Sequence, residues 1–213
     1  MKLFRPLTLL ALVIACAFTS CKKDKIDPES AKLLLNSQFD KVDPAWGTGE
    51  NDYSKRTVAN GYYIVQNKDQ DSYYFSYTDP IFGSNTDNIG VEAKLKLTGG
   101  NADYSTFGGI SHNYLPGNNT MDVFGFYNNG TFEIFHYDEN NFGTVYHSDN
   151  SPAVKINDFN TLRIELRGGT YHYYINGTEV FSRKAGNVKF DQLGIYIDPA
   201  TTATVDYYKA FKL

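Results

Sequence analysis

Residues 173–181 read YYINGTEVF, and a similar unit, FGFYNNGTFEI, occupies residues 124–134. In each unit an Asn-Gly pair separates two stretches rich in aromatic and β-branched residues. Asn-Gly readily adopts the positive φ angles that a tight turn between antiparallel strands requires. These two stretches therefore predict β-hairpins over residues 121–137 and 170–182.

Alternation of apolar and polar residues at period two continues through the chain from Leu33 onward. It is clearest in VEAKLKLT at 91–98 and in TLRIELRGG at 161–169. Such alternation predicts strands with one buried face. Tyr, Phe, Val and Ile content predicts further strands at 61–66, 73–77, 107–112, 144–147, 193–197 and 204–211. About a dozen short strands predict an all-β domain, built as an antiparallel sandwich or barrel.

The N-terminal segment has the features of an export signal. Lys2 and Arg5 precede an apolar run at 7–17, which is shorter than the roughly 20 residues that span a bilayer. Cys21 then begins an abruptly polar stretch. FTSCKKDK resembles the signals of Bacteroidetes-type lipoproteins, and this resemblance implies that residues 1–20 are removed and that Cys21 carries the lipid.

Two alternatives to Cys21 remain open. Cys16 follows Val-Ile-Ala and also fits a lipobox, but cleavage there would leave Cys21 as an unpaired thiol in an oxidising compartment. The segment also fits an ordinary secretory signal with incidental cysteines. We favour Cys21, which predicts a cell-envelope protein held on the outer membrane surface or the periplasmic face by lipid alone.

The remaining chain divides into a tether and one domain. Residues 21–32 are mostly charged and predict a flexible tether behind the lipidated cysteine, whereas 33–213 is long enough for one well-buried domain. The formal net charge is −4, which disfavours nucleic acid as a partner.

The second half of the chain resembles the concanavalin A-like and laminin G-like jelly-roll domains of bacterial exported proteins. That group includes relatives of 3-keto-disaccharide hydrolases and the family 16 glycosidase-like sandwiches. The segments that carry the resemblance are FGGISHNY (107–114), MDVFGFYNNGTFEIFHY (121–137), FNTLRIELRGGTYHYYINGTEVFS (159–182), QLGIYID (192–198) and VDYYKAFKL (205–213). It implies two large sheets, with glycans bound on a concave face or at the loops along its edge.

The family 16 catalytic pattern, Glu-x-Asp-x-Glu on one strand, does not occur in this sequence. Glycosidases need two carboxylates about 5–9.5 Å apart. Glu133 is the catalytic candidate, since alternation places it on one face with Phe135 and Tyr137. The alternative is a solvent-facing glutamate with a partner on the neighbouring strand.

Sugar binding requires an aromatic ring for the apolar face of a pyranose and planar polar groups for its hydroxyls. The sequence contains 17 tyrosines and 15 phenylalanines, more than a core of this size uses. We therefore expect ligand-binding residues on the aromatic strand face, in the predicted turn that follows residue 111, and in the Gly-rich loop WGTG, where Trp46 could equally be structural. They are Trp46, His112, Asn113, Tyr114, Asn119, Phe135 and Tyr137.

Sandwiches of this kind often hold a structural calcium ion with loop oxygens. Asp40, Asp43 and Asp206 form a candidate site if the first and last strands are neighbours. Alternatively, these carboxylates cap turns and pair with lysines.

Three functions are consistent with these features. The first is a lipid-anchored domain that binds an oligo- or polysaccharide without catalysis. The second is a glycoside hydrolase of the 3-keto-disaccharide type, and the third is an adhesion or assembly module that binds protein.

Overall fold

The computed structural model describes residues 32–79, 81–82, 87–100, 106–138, 141–186 and 192–213. The predicted signal peptide, Cys16, Cys21 and residues 22–31 of the tether lie outside the described residues. The described residues form strands, turns and connecting loops. None of them forms a helix that is long and apolar enough to cross a membrane. The strands are β1 (Lys32–Ser37), β2 (Gly49–Glu50), β3 (Ser54–Ala59), β4 (Tyr62–Asn67), β5 (Tyr74–Tyr77), β6 (Ile89–Gly99), β7 (Phe107–Leu115), β8 (Thr120–Tyr127), β9 (Thr131–Asp138), β10 (Asn141–Asn150), β11 (Asn160–Arg167), β12 (Thr170–Ile175), β13 (Thr178–Lys184), β14 (Gln192–Ile197) and β15 (Thr201–Lys212).

The strands form two antiparallel sheets, which confirms the predicted all-β sandwich. The larger sheet has the order β13-β12-β11-β6-β15-β4-β3-β2, and β1 also pairs with β15. The smaller sheet has the order β10-β9-β8-β7-β14-β5. Strands adjacent in the sheets are often distant in sequence, so the chain crosses repeatedly between the two layers.

Both predicted hairpins are present. β12 pairs with β13 through a two-residue turn in which Asn176 and Gly177 have φ angles of 48° and 78°. β8 pairs with β9 through a longer turn at 128–130 that ends on Gly130 with φ 96°. Positive φ at these positions suits Asn and Gly, which explains why the sequence places them there.

The hydrophobic core lies between the sheets. The larger sheet contributes the inward residues of its alternating strands, such as Val91, Leu95 and Ile164, and the smaller sheet contributes Phe124 and Ile134. All five are fully buried. The opposite face of the smaller sheet carries a second apolar cluster, which packs on the outside of the sandwich.

Candidate functional site

The outward side of the smaller sheet is an aromatic face. It arises because alternation in β5, β7, β8, β9 and β14 sends one set of side chains to the core and the other set outward. Its rings are those of Tyr73, Phe75, Phe107, Tyr114, Tyr127, Phe135, Tyr137 and Tyr196.

The rings of the aromatic face converge across the sheet. Phe135 on β9 and Tyr196 on β14 are separated by two intervening strands, which in a flat sheet places them about 14 Å apart. Their ring centroids are nevertheless only 5.6 Å apart. The ring centroids of Tyr73 and Tyr137 are 4.9 Å apart, although Tyr73 lies beside the edge strand β5 and Tyr137 lies on β9, near the other edge of the sheet. The rings therefore converge over the middle of the sheet.

Glycines make this convergence possible. Gly109 on β7 and Gly125 on β8 are directly opposite each other at the centre of the face. A Cβ on Gly125 would lie 2.5 Å from the Phe107 ring, and one on Gly109 would lie 2.1 Å from the carbonyl oxygen of Phe124. Phe107 thus occupies the space that a side chain at position 125 would need.

The face has a buried floor and a more accessible rim. Phe107 and Tyr196 are 1% and 6% exposed although they point away from the core. Tyr73, Tyr127 and Tyr137 are only partly buried. This arrangement fixes the rim rings against the floor and leaves part of their surface available for a ligand.

Two carboxylates lie among the tyrosines. The Tyr127 hydroxyl donates a hydrogen bond to Glu133, with 3.3 Å between Oη and Oε2. At the end of β14, burial raises the pKa of Asp198 to about 7; a hydrogen bond from Tyr196 lowers it and the charge of Glu133 raises it further. A phenol of ordinary pKa keeps its proton at neutral pH, and burial and the nearby carboxylates raise the pKa of Tyr127 further. The Tyr127 hydroxyl is therefore the donor in this hydrogen bond.

The strands of the smaller sheet carry acidic side chains and no lysine or arginine. Strands β5, β7, β8, β9, β10 and β14 contain no lysine or arginine. The face therefore presents hydroxyls and carboxyl groups, which accept and donate hydrogen bonds, with no cation supplied by its own strands. Hydroxyl-rich ligands without negative charge fit that chemistry.

Several residues predicted from the sequence lie on this face. Phe135, Tyr137 and Glu133 share the outward side of β9, as the alternation in TFEIFHY predicts. Tyr114 also belongs to the aromatic face, where its ring contacts Phe75 at 4.8 Å. Tyr114 is only 8% exposed, so it belongs to the floor.

His112 and Asn113 point into the sandwich, and the prediction that they line an exposed turn is wrong. Strand β7 continues to Leu115, and its register shifts between His112 and Leu115, where Asn113 has a φ of 58°. His112 is fully buried against the rings of Tyr171 and Tyr173. A sugar cannot reach either side chain in this structure.

Trp46 is also a core residue, and the prediction that it binds ligand is wrong. It is 2% exposed, and its indole Nε1 donates a 3.0 Å hydrogen bond to the Ser37 hydroxyl. Its ring packs on Tyr63 and Tyr208 at 5.5 and 4.8 Å. The Gly-rich loop thus folds inward and closes one side of the core.

The predicted calcium site is not formed. Asp206 forms an ion pair with Lys94 at 2.7 Å, and Asp43 Oδ1 accepts a hydrogen bond from the Ala45 amide in a turn. Asp40 is exposed. Across the described ranges no three His, Cys, Asp or Glu side chains cluster closely enough to hold a metal.

Asn119 lies in the β7–β8 turn, where its φ of 46° serves the turn.

Sequence reasoning missed a buried polar network between the sheets. Asp122, which is 1% exposed, accepts hydrogen bonds from Arg183 Nη2 at 2.7 Å and Asn113 Nδ2 at 2.8 Å. Its second oxygen lies 2.8 Å from His136 Nδ1. Asp122 and Arg183 are 61 positions apart, so no local pattern could have paired them.

It also missed Tyr73, Tyr196 and Asp198 as members of the candidate site. In QLGIYID, alternation places Tyr196 and Asp198 opposite Leu193, Ile195 and Ile197, which is the signal that would have found them. In SYYFSY both faces carry tyrosine, so no sequence signal marks Tyr73.

The solved structures that resemble this chain include sugar-binding and sugar-cleaving proteins and a protein of unknown function. The carbohydrate-binding module CBM66 from Bacillus subtilis aligns with a TM-score of 0.61 at 15% identity, covering 79% of this chain and 96% of that one. An endo-β-1,3-glucanase from Pyrococcus furiosus aligns with a TM-score of 0.60 at 12% identity, covering 85% and 94%. A Bacillus subtilis protein of unknown function with a galectin-like fold aligns at 0.61 with 8% identity, covering 85% and 96%.

These similarities confirm the predicted concanavalin A-like jelly-roll fold. No protein-family model matches the sequence, and no curated protein sequence matches it.

Proposed function

We propose that this protein is an extracytoplasmic glycan-binding domain without catalytic activity, held to the membrane by a lipid on Cys21. The ligand is an oligo- or polysaccharide, and it binds on the aromatic face. The presence of the fold in a carbohydrate-binding module and in glycanases supports this proposal.

The observation that carries the proposal is the aromatic face with its converging rings. A buried floor holds partly exposed rings at fixed positions, so little side-chain entropy is lost when a sugar stacks on them. Tyrosine hydroxyls, Glu133 and Asp198 lie close enough to the rings to bond the sugar hydroxyls. A stacking surface combined with planar polar groups is what pyranose recognition requires.

The proposal is tested with a panel of neutral and charged polysaccharides, using affinity electrophoresis to detect binding and calorimetry to measure it. Tyr137→Ala removes a rim ring and is expected to weaken binding about 2- to 13-fold, since one stacked ring contributes on the order of 0.5–1.5 kcal/mol. Tyr53→Ala is the matched control because Tyr53 is a 65% exposed tyrosine outside the aromatic face.

Equal binding by wild type, Tyr137→Ala and Phe135→Ala would show that the polysaccharide does not bind on the aromatic face. Absence of binding to every polysaccharide at millimolar sugar would reject glycan binding itself.

One observation favours a second candidate, hydrolysis of a glycosidic bond. Burial raises the pKa of Asp198 to about 7, so about half of this carboxyl is neutral at pH 7, and Glu133 lies on the same face. Glycosidases use two carboxyl groups on one face, one of them with a raised pKa, for proton transfer. Turnover of a 3-keto-disaccharide that is lost in both Asp198→Asn and Glu133→Gln would establish this function in place of simple binding.

A further inference from the structure

The exposed edges of the two sheets meet along one side of the sandwich. β10 is the last strand of the smaller sheet, and β13 is the last strand of the larger one. Side chains from both strands lie across the gap between them. Two of these contacts close the gap, and beyond them it opens into a cleft.

The closed part is sealed by aromatic and charged groups. The Arg183 guanidinium lies 4.0 Å from the centre of the Tyr146 ring, and the rings of His147 and Phe181 stack at 4.3 Å with an interplanar angle of 9°. Beyond Phe181, towards the Asn176-Gly177 turn, no comparable ring from β13 fills the space.

The cleft at that end has a volume of about 340 Å³. Phe132 and Val180 form its apolar base, and Asp149, Ser151 and Thr178 contribute polar groups around it. Asp149 is opposite Phe132 in the β9–β10 pair, and Thr178 is opposite the buried Ile175 in the β12–β13 pair. Residues paired in this way point to the same side of a sheet, so both polar side chains project into the cleft.

Backbone hydrogen bonds hold the rim of the cleft in place. The Ser151 amide donates to the Gly130 carbonyl at 3.0 Å, and the Val154 amide donates to the Ser151 carbonyl at 3.1 Å. The side-chain amide of Asn176 donates to the Ala153 carbonyl at 2.7 Å. The loop between β10 and β11 is therefore tied both to the β8–β9 turn and to the β12–β13 turn, and the cleft is preformed.

We propose that this cleft is a second binding site, separate from the aromatic face, and that it takes a single neutral sugar unit. Its volume is at the lower end of the range for small-ligand sites. An apolar base suits the C–H face of a pyranose or furanose. A carboxylate and two hydroxyls suit its hydroxyl groups, because a charged acceptor forms the stronger hydrogen bonds.

The charge of the cleft selects against anionic sugars. Asp149 projects into it, Glu179 contributes to the lining, and no lysine or arginine is among the lining residues. A uronic acid or a sulfated sugar would therefore bring a negative charge towards Asp149 without a cation to compensate.

The test is a titration of the mature chain, labelled with nitrogen-15, with glucose, galactose, mannose, fructose and glucuronic acid, each followed by two-dimensional NMR. We expect at least one neutral sugar to shift the amide signals of Asp149, Ser151 and Thr178, and glucuronic acid to bind more weakly. Asp149→Ala is expected to weaken the neutral sugar at least tenfold. Asp71→Ala, which removes an exposed carboxylate elsewhere, is expected to leave it unchanged.

Thr178→Tyr provides an independent variant, since it puts a ring into the cleft at an exposed strand position. It is expected to abolish the shifts at Ser151. The inference is overturned if no sugar shifts these signals, or if Asp149→Ala and Thr178→Tyr bind as wild type does. Tyr137→Ala should leave sugar binding at the cleft intact. The experiment therefore distinguishes a wrong proposal for the aromatic face from a wrong proposal for the cleft.

Discussion

Arg183 on β13 donates a 2.7 Å hydrogen bond from Nη2 to Oδ2 of Asp122 on β8, joining the two sheets by a buried ion pair. The Asp122 side chain is 1% exposed and that of Arg183 is 15% exposed. Asn113 and His136 occupy the remaining positions around the carboxylate.

Loss of the Asp122 carboxylate should therefore cost much more stability than loss of a surface partner. Asp122→Ala leaves Arg183 unpaired inside the sandwich, and we expect the free energy of unfolding to fall by about 3–5 kcal/mol in urea denaturation. Asp206→Ala breaks the more exposed pair with Lys94 and should cost less than about 1 kcal/mol. Similar losses in the two variants would contradict the assignment of Asp122 as a buried junction.

Acidification should act on stability through His112. Burial lowers the pKa of this imidazole to about 4, whereas in the unfolded chain it titrates near 6.5. Between these values the unfolded state binds more protons, so His112 contributes stability above pH 6.5 that is lost as the pH falls towards 4. Its full contribution is about 3 kcal/mol.

His112→Phe removes the group that must stay neutral, so its stability should fall less than that of wild type between pH 7 and pH 4.5. The two proteins are compared by urea denaturation at each pH. An identical slope in both would show that the buried histidine is not the acid-sensitive group.

Asp198 should have the opposite pH dependence. Its folded pKa is raised to about 7, mainly by burial, so the folded state binds the extra proton between the ordinary carboxyl pKa and 7. Stability from this group is full at low pH and is lost as the pH rises through 7. Asp198→Asn imitates the neutral carboxyl and should therefore stabilise the protein more at pH 8 than at pH 5.

Thermal unfolding at the two pH values measures the effect of Asp198, with Asp71→Asn as the exposed control. A stabilisation that is equal at both pH values would mean that Asp198 is not the titrating group.

The proposed lipid anchor makes a prediction that separates the two N-terminal cysteines. Cys21→Ala should release the protein from the membrane fraction into the soluble fraction, whereas Cys16→Ala should leave it membrane-bound. Detergent phase partitioning of cells that express each variant measures this. Release by Cys16→Ala alone would assign the lipid to Cys16, and release by neither would exclude a lipid anchor on a cysteine.

The fold was predictable because its signals are local. Alternation located β4 to β15 within a few residues, and Asn176-Gly177 located a hairpin. Strand β2 was missed because it has only two residues, and β1 and β3 were missed because neither KLLLNS nor SKRTVA alternates strongly.

The candidate site was only partly predictable. Phe135 and Tyr137 follow from strict alternation, but one bulge at Asn113 places successive residues on unexpected sides of β7. Trp46 lies in a Gly-rich loop by sequence, and only the folded chain brings it against Tyr208. Both errors concern residues whose surroundings are set by distant parts of the chain.

The pairing of the first and last strands also fixes the end of the larger sheet at which the N-terminal segment reaches the domain. Lys32 is opposite Lys212, so β1 enters the larger sheet at the end where β15 leaves it. Thr201, where β15 begins, is at the far end of that strand. Twelve residues of β15 span about 40 Å. A flexible tether ahead of Lys32 would thus join the domain at the Lys212 end of β15 and leave the Thr201 end facing away from the point of attachment.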